Sequence, residues 1–106
     1  MNRFARYTYK DSNFRIRSER FEVATQEIRY QRTCLETYLT GQPQFREALT
    51  SVPVTGDAPD IVLRMCRAAD RVGVGPMAAV AGTIAQMAAE AALSAGAAEA
   101  VVENGG

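Results

Sequence analysis

Apolar and polar positions alternate along the opening of the chain. Phe14 and Ile16 fall on one side of an extended backbone and Arg15 and Arg17 on the other, the period of a half-buried strand. Residues 3–9 and 13–19 flank the turn-forming Lys10-Asp11-Ser12, and this pattern predicts a β-hairpin. From Glu22 to Leu39 the period lengthens to that of a helix. Ala24, Ile28, Leu35 and Leu39 share one face, while Glu27, Arg29, Arg32 and Glu36 are placed for solvent. Arg32 and Glu36 are four apart and spaced to pair. The run Thr40-Gly41-Gln42-Pro43 should stop this helix, with Gly41 in a left-handed cap and Pro43 unable to continue it. Phe45 and Leu49 predict a short helical turn before the irregular stretch from Ser51 to Gly56.

Asp57 is placed to cap the next helix, with Pro59 in its first turn and Asp60 near its positive end. Its apolar stripe is Ile61, Met65 and Ala68 or Ala69, and Gly73 supplies the stop. A fourth helix is expected from near Pro76 to about Ala95. Met77, Val80, Ile84, Met87 and Ala91 form its large-residue face. Ala78, Gly82, Ala85 and Ala89 form a second face small enough for another backbone to approach. Gly96 ends this helix, and residues 98–103 read as a buried strand. The order β-β-α-(α)-α-α-β defines an α+β fold. Three strands with three substantial helices leave a sheet short of neighbours. Residues 1–106 are therefore expected to be the N-terminal part of a single domain that continues beyond residue 106, with further chain or a partner chain completing the sheet; a complete small domain ending in a strand is the alternative.

Composition narrows the function classes. Lysine plus arginine and aspartate plus glutamate both number 12, so no global field recruits nucleic acid or anionic lipid. The charge is uneven, with Arg3, Arg6, Lys10, Arg15, Arg17 and Arg20 crowded into the hairpin region. A solvated strand face accounts for this, and a basic rim for phosphate is the second reading. Cys34 and Cys66 form neither a disulfide framework nor a zinc spacing, histidine is absent, and no metal-ligand set is assigned. Both cysteines sit among apolar neighbours, which favours buried thiols. The run Met77–Ala98 is interrupted by Gln86 and Glu90 and is read as a soluble helix rather than a membrane span. No charged-then-apolar leader is seen, and a cytoplasmic location is the expectation.

Two stretches could hold a ligand. Val72-Gly73-Val74-Gly75-Pro76-Met77-Ala78 links two helices, where glycines can turn N–H groups outward and a helix start adds about half a positive charge. Such a junction suits a phosphate or carboxylate. It is equally a C-cap glycine followed by an N1 proline, and it matches neither the P-loop nor the dinucleotide fingerprint. The second stretch is Glu103-Asn104-Gly105-Gly106, where a glycine pair at a strand end permits close approach and carboxylate and amide groups can bind ribose hydroxyls. It reads equally well as a turn. No catalytic constellation is visible. Glu103 is the carboxylate of most interest, ahead of the cap-placed Asp57 and Asp60.

Gly82-Thr83-Ile84-Ala85, the alanine-rich helix, Gly96 and Ala100-Val101-Val102-Glu103-Asn104-Gly105-Gly106 together resemble the central signature of ApbE proteins. The longer run from Ala58-Pro59-Asp60 through Gly73-Val74-Gly75-Pro76-Met77 to Thr83 looks closer still to the uncharacterised ApbE-like family of archaea and sulfate-reducing bacteria. With the hairpin and the Arg32/Leu35/Tyr38 helix, the resemblance covers nearly the whole chain. It implies an ApbE-like, T-fold-like architecture in proteins more than twice this length. ApbE enzymes use flavin adenine dinucleotide and magnesium to transfer flavin mononucleotide to a threonine. This chain has Ala81 where their signature carries lysine and Gln86 where it carries aspartate, and the metal-binding segment lies outside it.

The expectation is a protein that binds an anionic small molecule, a nucleotide or flavin fragment. Gly73, Gly75, Pro76, Met77, Ala78, Thr83, Glu103, Asn104, Gly105 and Gly106 would line the site. Magnesium would enter only through ligands supplied from beyond this chain. Two alternatives stay open. One is a sulfur-assimilation protein using Cys34 or Cys66. The other is a non-catalytic oligomerisation module, a homo-oligomer packed through the small-residue face of the fourth helix.

Overall fold

Phe14 and Ile16 are almost wholly buried while Arg15 between them is exposed, so the alternation in the sequence builds the strand it predicts. A computed structural model of the chain describes residues 3–105. Strand β1 (Ala5–Tyr9) pairs antiparallel with β2 (Ser12–Ser18) through a two-residue turn whose first residue, Lys10, has φ 53°. Strand β3 (Ala100–Gly105) pairs antiparallel with the other side of β2, giving the order β1-β2-β3. The fold is α+β. The third strand differs from expectation in two respects. It lies at a sheet edge and is at most half-buried, and Asn104 and Gly105 belong to the strand itself.

The helices are α1 (Phe21–Gly41), α2 (Pro43–Glu47), α3 (Asp60–Asp70) and α4 (Val80–Ser94), the last entered through a 3₁₀ turn at Pro76–Ala79. Ala24, Ile28, Leu35 and Leu39 are all buried on α1, as their spacing requires. Gly41 stays inside α1 without a left-handed conformation. The stop comes at Gln42 (φ −137°, ψ 65°), and Pro43 then opens α2. Phe45 is buried, whereas Leu49 lies beyond α2 and is 86% exposed, so only one of the two predicted anchors packs. Asp57 does not cap α3. Pro59 holds the cap position, the Asp57 carboxylate accepts a hydrogen bond from Thr55, and Asp60 in the first turn pairs with Arg64 at 2.9 Å. The Arg32–Glu36 pair forms at 3.2 Å.

The chain divides into two compact units, Met1–Tyr30 with Ile84–Gly106, and Gln31–Thr83. In the first, the buried set is Phe14, Ile16, Ala24, Ile28 and the α4 residues Ile84, Ala85, Met87, Ala88 and Ala92. Tyr7 meets Phe14 at 6.2 Å and Phe21 edge-on at 6.4 Å, and its hydroxyl accepts a hydrogen bond from Arg29 at 2.9 Å. In the second, Leu35, Leu39, Phe45, Ile61, Val62, Met65 and Ala69 are buried. Tyr38 stands edge-on to Phe45 at 5.4 Å, and α2 and α3 both pack on the 3₁₀ turn.

The small-residue face of α4 divides. Ala85 is buried, but Ala78 and Gly82 are exposed, and a Cβ added at Gly82 would meet nothing within 4 Å. Gly82→Ala should therefore raise stability by about 0.5–1 kcal/mol through helix propensity alone. Chemical denaturation checks this, and a lower midpoint would mean that the face is used for close packing.

Candidate functional site

The Val72–Thr83 segment lies wholly in the second unit. Gly73 has φ 72°, and the Val74 N–H donates to the Ala69 carbonyl at 3.2 Å, a six-residue closure that ends α3 as a Schellman cap. Gly75 is buried for a different reason. A Cβ there would lie 1.9 Å from the Ala48 carbonyl oxygen, so the backbone of the junction rests directly on the backbone after α2. Pro76 is buried and has no N–H, and the Ala78 N–H is taken by the Gly75 carbonyl at 3.2 Å. Met77 is half-buried, Ala78 exposed and Thr83 buried. Both glycines thus have duties in helix termination and close packing that involve no ligand.

Glu103, Asn104 and Gly105 lie in the first unit, on β3; Gly106 lies outside the described residues. The register aligns Arg6, Arg15 and Glu103 in one cross-strand row and Thr8, Asn13 and Gly105 in the next. Successive residues of a strand point to opposite faces, so both rows lie on the face away from Phe14 and Ile16. Together with Phe14 and Asn104 they line an open groove of about 510 Å³. That volume falls within the usual range for small-molecule sites, about 300–1,000 Å³.

Arg15 Nη1 donates to Glu103 Oε2 at 3.2 Å, with both side chains about half exposed. The Thr8 hydroxyl donates to Asn13 Oδ1 at 3.0 Å. Phe4 lies beneath two guanidinium groups, 4.5 Å from that of Arg15 and 4.8 Å from that of Arg17. Arg17 Nε stands 3.1 Å from Glu99 Oε1 in an ion pair without a hydrogen bond at that nitrogen. Arg6 has neither an ion-pair nor a hydrogen-bond partner among the described residues. The basic hairpin is legible in the sequence, but its partnership with Glu103 is not, because it depends on a pairing between residues 88 positions apart.

The family model described as AbpE bacteria matches residues 3–106. The chain belongs to that family. The curated relatives include a UPF0280 protein from Methanosarcina acetivorans, 46% identical over 85 residues that cover 80% of this chain and 34% of the relative. A UPF0280 protein from Archaeoglobus fulgidus is 41% identical over 109 residues, covering the whole of this chain and 46% of the relative. One from Methanocella arvoryzae is 53% identical over 72 residues, covering 68% and 29%. The chain thus spans between 29% and 46% of the length of these relatives.

No group of three or more metal-binding side chains occurs among the described residues. The helical run Pro76–Ser94 has the length and composition of a bilayer-crossing segment, and 33% of its apolar window is buried within the protein, Ile84, Met87, Ala88 and Ala92 included. Cys66 is buried on α3 and Cys34 half-buried on α1. Burial pushes the Cys66 thiol up, and the Asp70 carboxylate adds to the effect. Burial likewise raises the Tyr38 hydroxyl, with Cys66 and Asp57 contributing. A thiol held protonated is a poor nucleophile.

Two measurements follow. Gly75→Ala should cost about 2–4 kcal/mol, because backbone rather than a flexible side chain must move to admit the methyl group. A denaturation midpoint within error of the parent's would contradict this close approach. For Cys66 and Tyr38, the folded state holds the proton more tightly than the unfolded state. Their contribution to stability is therefore complete below the ordinary thiol pKa of about 8.5 and is lost as pH rises through the elevated native values. Denaturation at about pH 7.5 and about pH 10 should show the decline, and Cys66→Ala with Tyr38→Phe should reduce its slope.

Proposed function

We propose that the chain is the N-terminal portion of an ApbE-like protein that binds an anionic small molecule, a nucleotide or flavin fragment, on the open face of its sheet. One observation carries this reading: Glu103, Asn104 and Gly105 line the same groove as Arg6 and Arg15. Guanidinium groups take phosphate oxygens in forked, charge-assisted hydrogen bonds. Asn13 and Glu103, on the open face, offer a donor and acceptors for hydroxyls or a base edge. Gly105 leaves room above the strand, since an added Cβ would meet nothing within 4 Å.

The superfamily link rests on the Gly82–Ala85 and Ala100–Gly106 signatures together with the α+β order. Ala81 and Gln86 depart from the flavin-transfer signature, so binding is proposed here without transfer. The Gly73–Ala78 junction is the weaker of the two candidate regions, because its glycines already serve the fold. The buried, proton-holding Cys66 gives the thiol alternative little support, and a reducing cytoplasm fits two free cysteines.

Isothermal titration of the chain with flavin mononucleotide, adenosine monophosphate and inorganic pyrophosphate tests the proposal. Arg6→Met with Arg15→Met should weaken binding by about tenfold or more, the loss expected for charged hydrogen bonds. Absence of binding to all three, or binding that the double substitution leaves intact, would refute it.

A further inference from the structure

We infer that Glu103 is an internal competitor for the anion site, occupying the Arg15 guanidinium and reserving the groove for phosphate-class ligands over carboxylates. This rests on the proposed sheet-face site and adds to it a role for Glu103 and a ligand class.

The cross-strand row is the starting point. Arg6 faces Arg15 on β1 and β2, and Arg15 faces Glu103 on β2 and β3. Like charges directly opposite each other disfavour strand pairing. A single carboxylate stands against these two guanidinium groups in the groove, and it is held by Arg15. The row therefore carries a net positive charge, concentrated at Arg6, which has neither an ion-pair nor a hydrogen-bond partner among the described residues. Arg15 is also steadied by the Phe4 ring beneath it, so its guanidinium keeps its place when Glu103 leaves.

An incoming anion must exchange with Glu103. A ligand carboxylate merely replaces one carboxylate by another, and it competes against a group tethered in the same sheet at high effective concentration. A phosphate group carries a charge of about −1.5 to −2 and three acceptor oxygens. It can bridge Arg6 and Arg15 together, engaging the guanidinium that Glu103 leaves unmatched. The half-exposed ion pair is weak, so its displacement lowers affinity only a few-fold and binding remains reversible.

The test is calorimetric titration of the chain and of Glu103→Gln with inorganic pyrophosphate and with succinate, melting curves confirming that both proteins are folded. The parent should bind pyrophosphate in preference to succinate. Glu103→Gln, which keeps the shape and removes the charge, should bind pyrophosphate about two- to fivefold more tightly. Equal or weaker binding by Glu103→Gln would overturn the competitor role while leaving the groove as a binding site, as would a parent that binds succinate as well as pyrophosphate. Pyrophosphate binding that survives Arg6→Met with Arg15→Met would instead remove the groove reading itself. Failure of both proteins to bind pyrophosphate would remove both.

Discussion

The register of β2 against its two neighbours is the constraint on which the rest of the first unit depends. β2 is hydrogen-bonded to a strand on each side, and its alternation separates the buried Phe14 and Ile16 from the exposed Asn13 and Arg15. A slip of one residue would exchange these faces, placing arginines in the core and phenylalanine in water. The same register seats Glu103 opposite Arg15 and Gly105 opposite Asn13. Core packing and groove chemistry are thus two faces of one pairing pattern. The β2–β3 junction is reinforced where β3 begins, since Glu99 pairs with Arg17 at 3.1 Å and its N–H donates to the Glu19 carboxylate at 3.2 Å.

Local chemistry was legible wherever it was self-contained. The strand alternation, the α1 face and the left-handed stops at Gly73 and Gly96 follow from neighbours within one or two turns, and each forms as its pattern predicts. Misreadings at element ends arose where neighbouring residues competed for one position. Gly41 has the composition of a cap, yet the helix continues through it until Gln42, because Pro43 can begin α2 directly. Asp57 has the spacing of a cap, but Thr55 takes its carboxylate and Pro59 occupies the position. Leu49 repeats the period of Phe45 but falls after the helix has ended.

The candidate regions, by contrast, depend on partners far apart in the sequence. Gly75 resembled a ligand-facing glycine in sequence, but the approach of the Ala48 carbonyl gives it a packing duty that one-dimensional spacing does not disclose. The basic hairpin was visible as a charge excess. Its conversion into a groove required β3, more than eighty residues later, to supply Glu103, Asn104 and Gly105. Membership of the AbpE bacteria family spans nearly the whole chain, and the UPF0280 relatives from Methanosarcina acetivorans and Archaeoglobus fulgidus are two to three times as long as the matched portion. The proposed groove makes a definite claim about where an anion should bind.

Amide chemical-shift mapping of the isotopically labelled chain during titration with inorganic pyrophosphate tests that claim most directly. The account predicts shifts concentrated at Arg6, Thr8, Asn13, Arg15 and Glu103–Gly105, with Gly73–Ala78 unchanged. Shifts concentrated at Gly73–Ala78, with the sheet face silent, would contradict it.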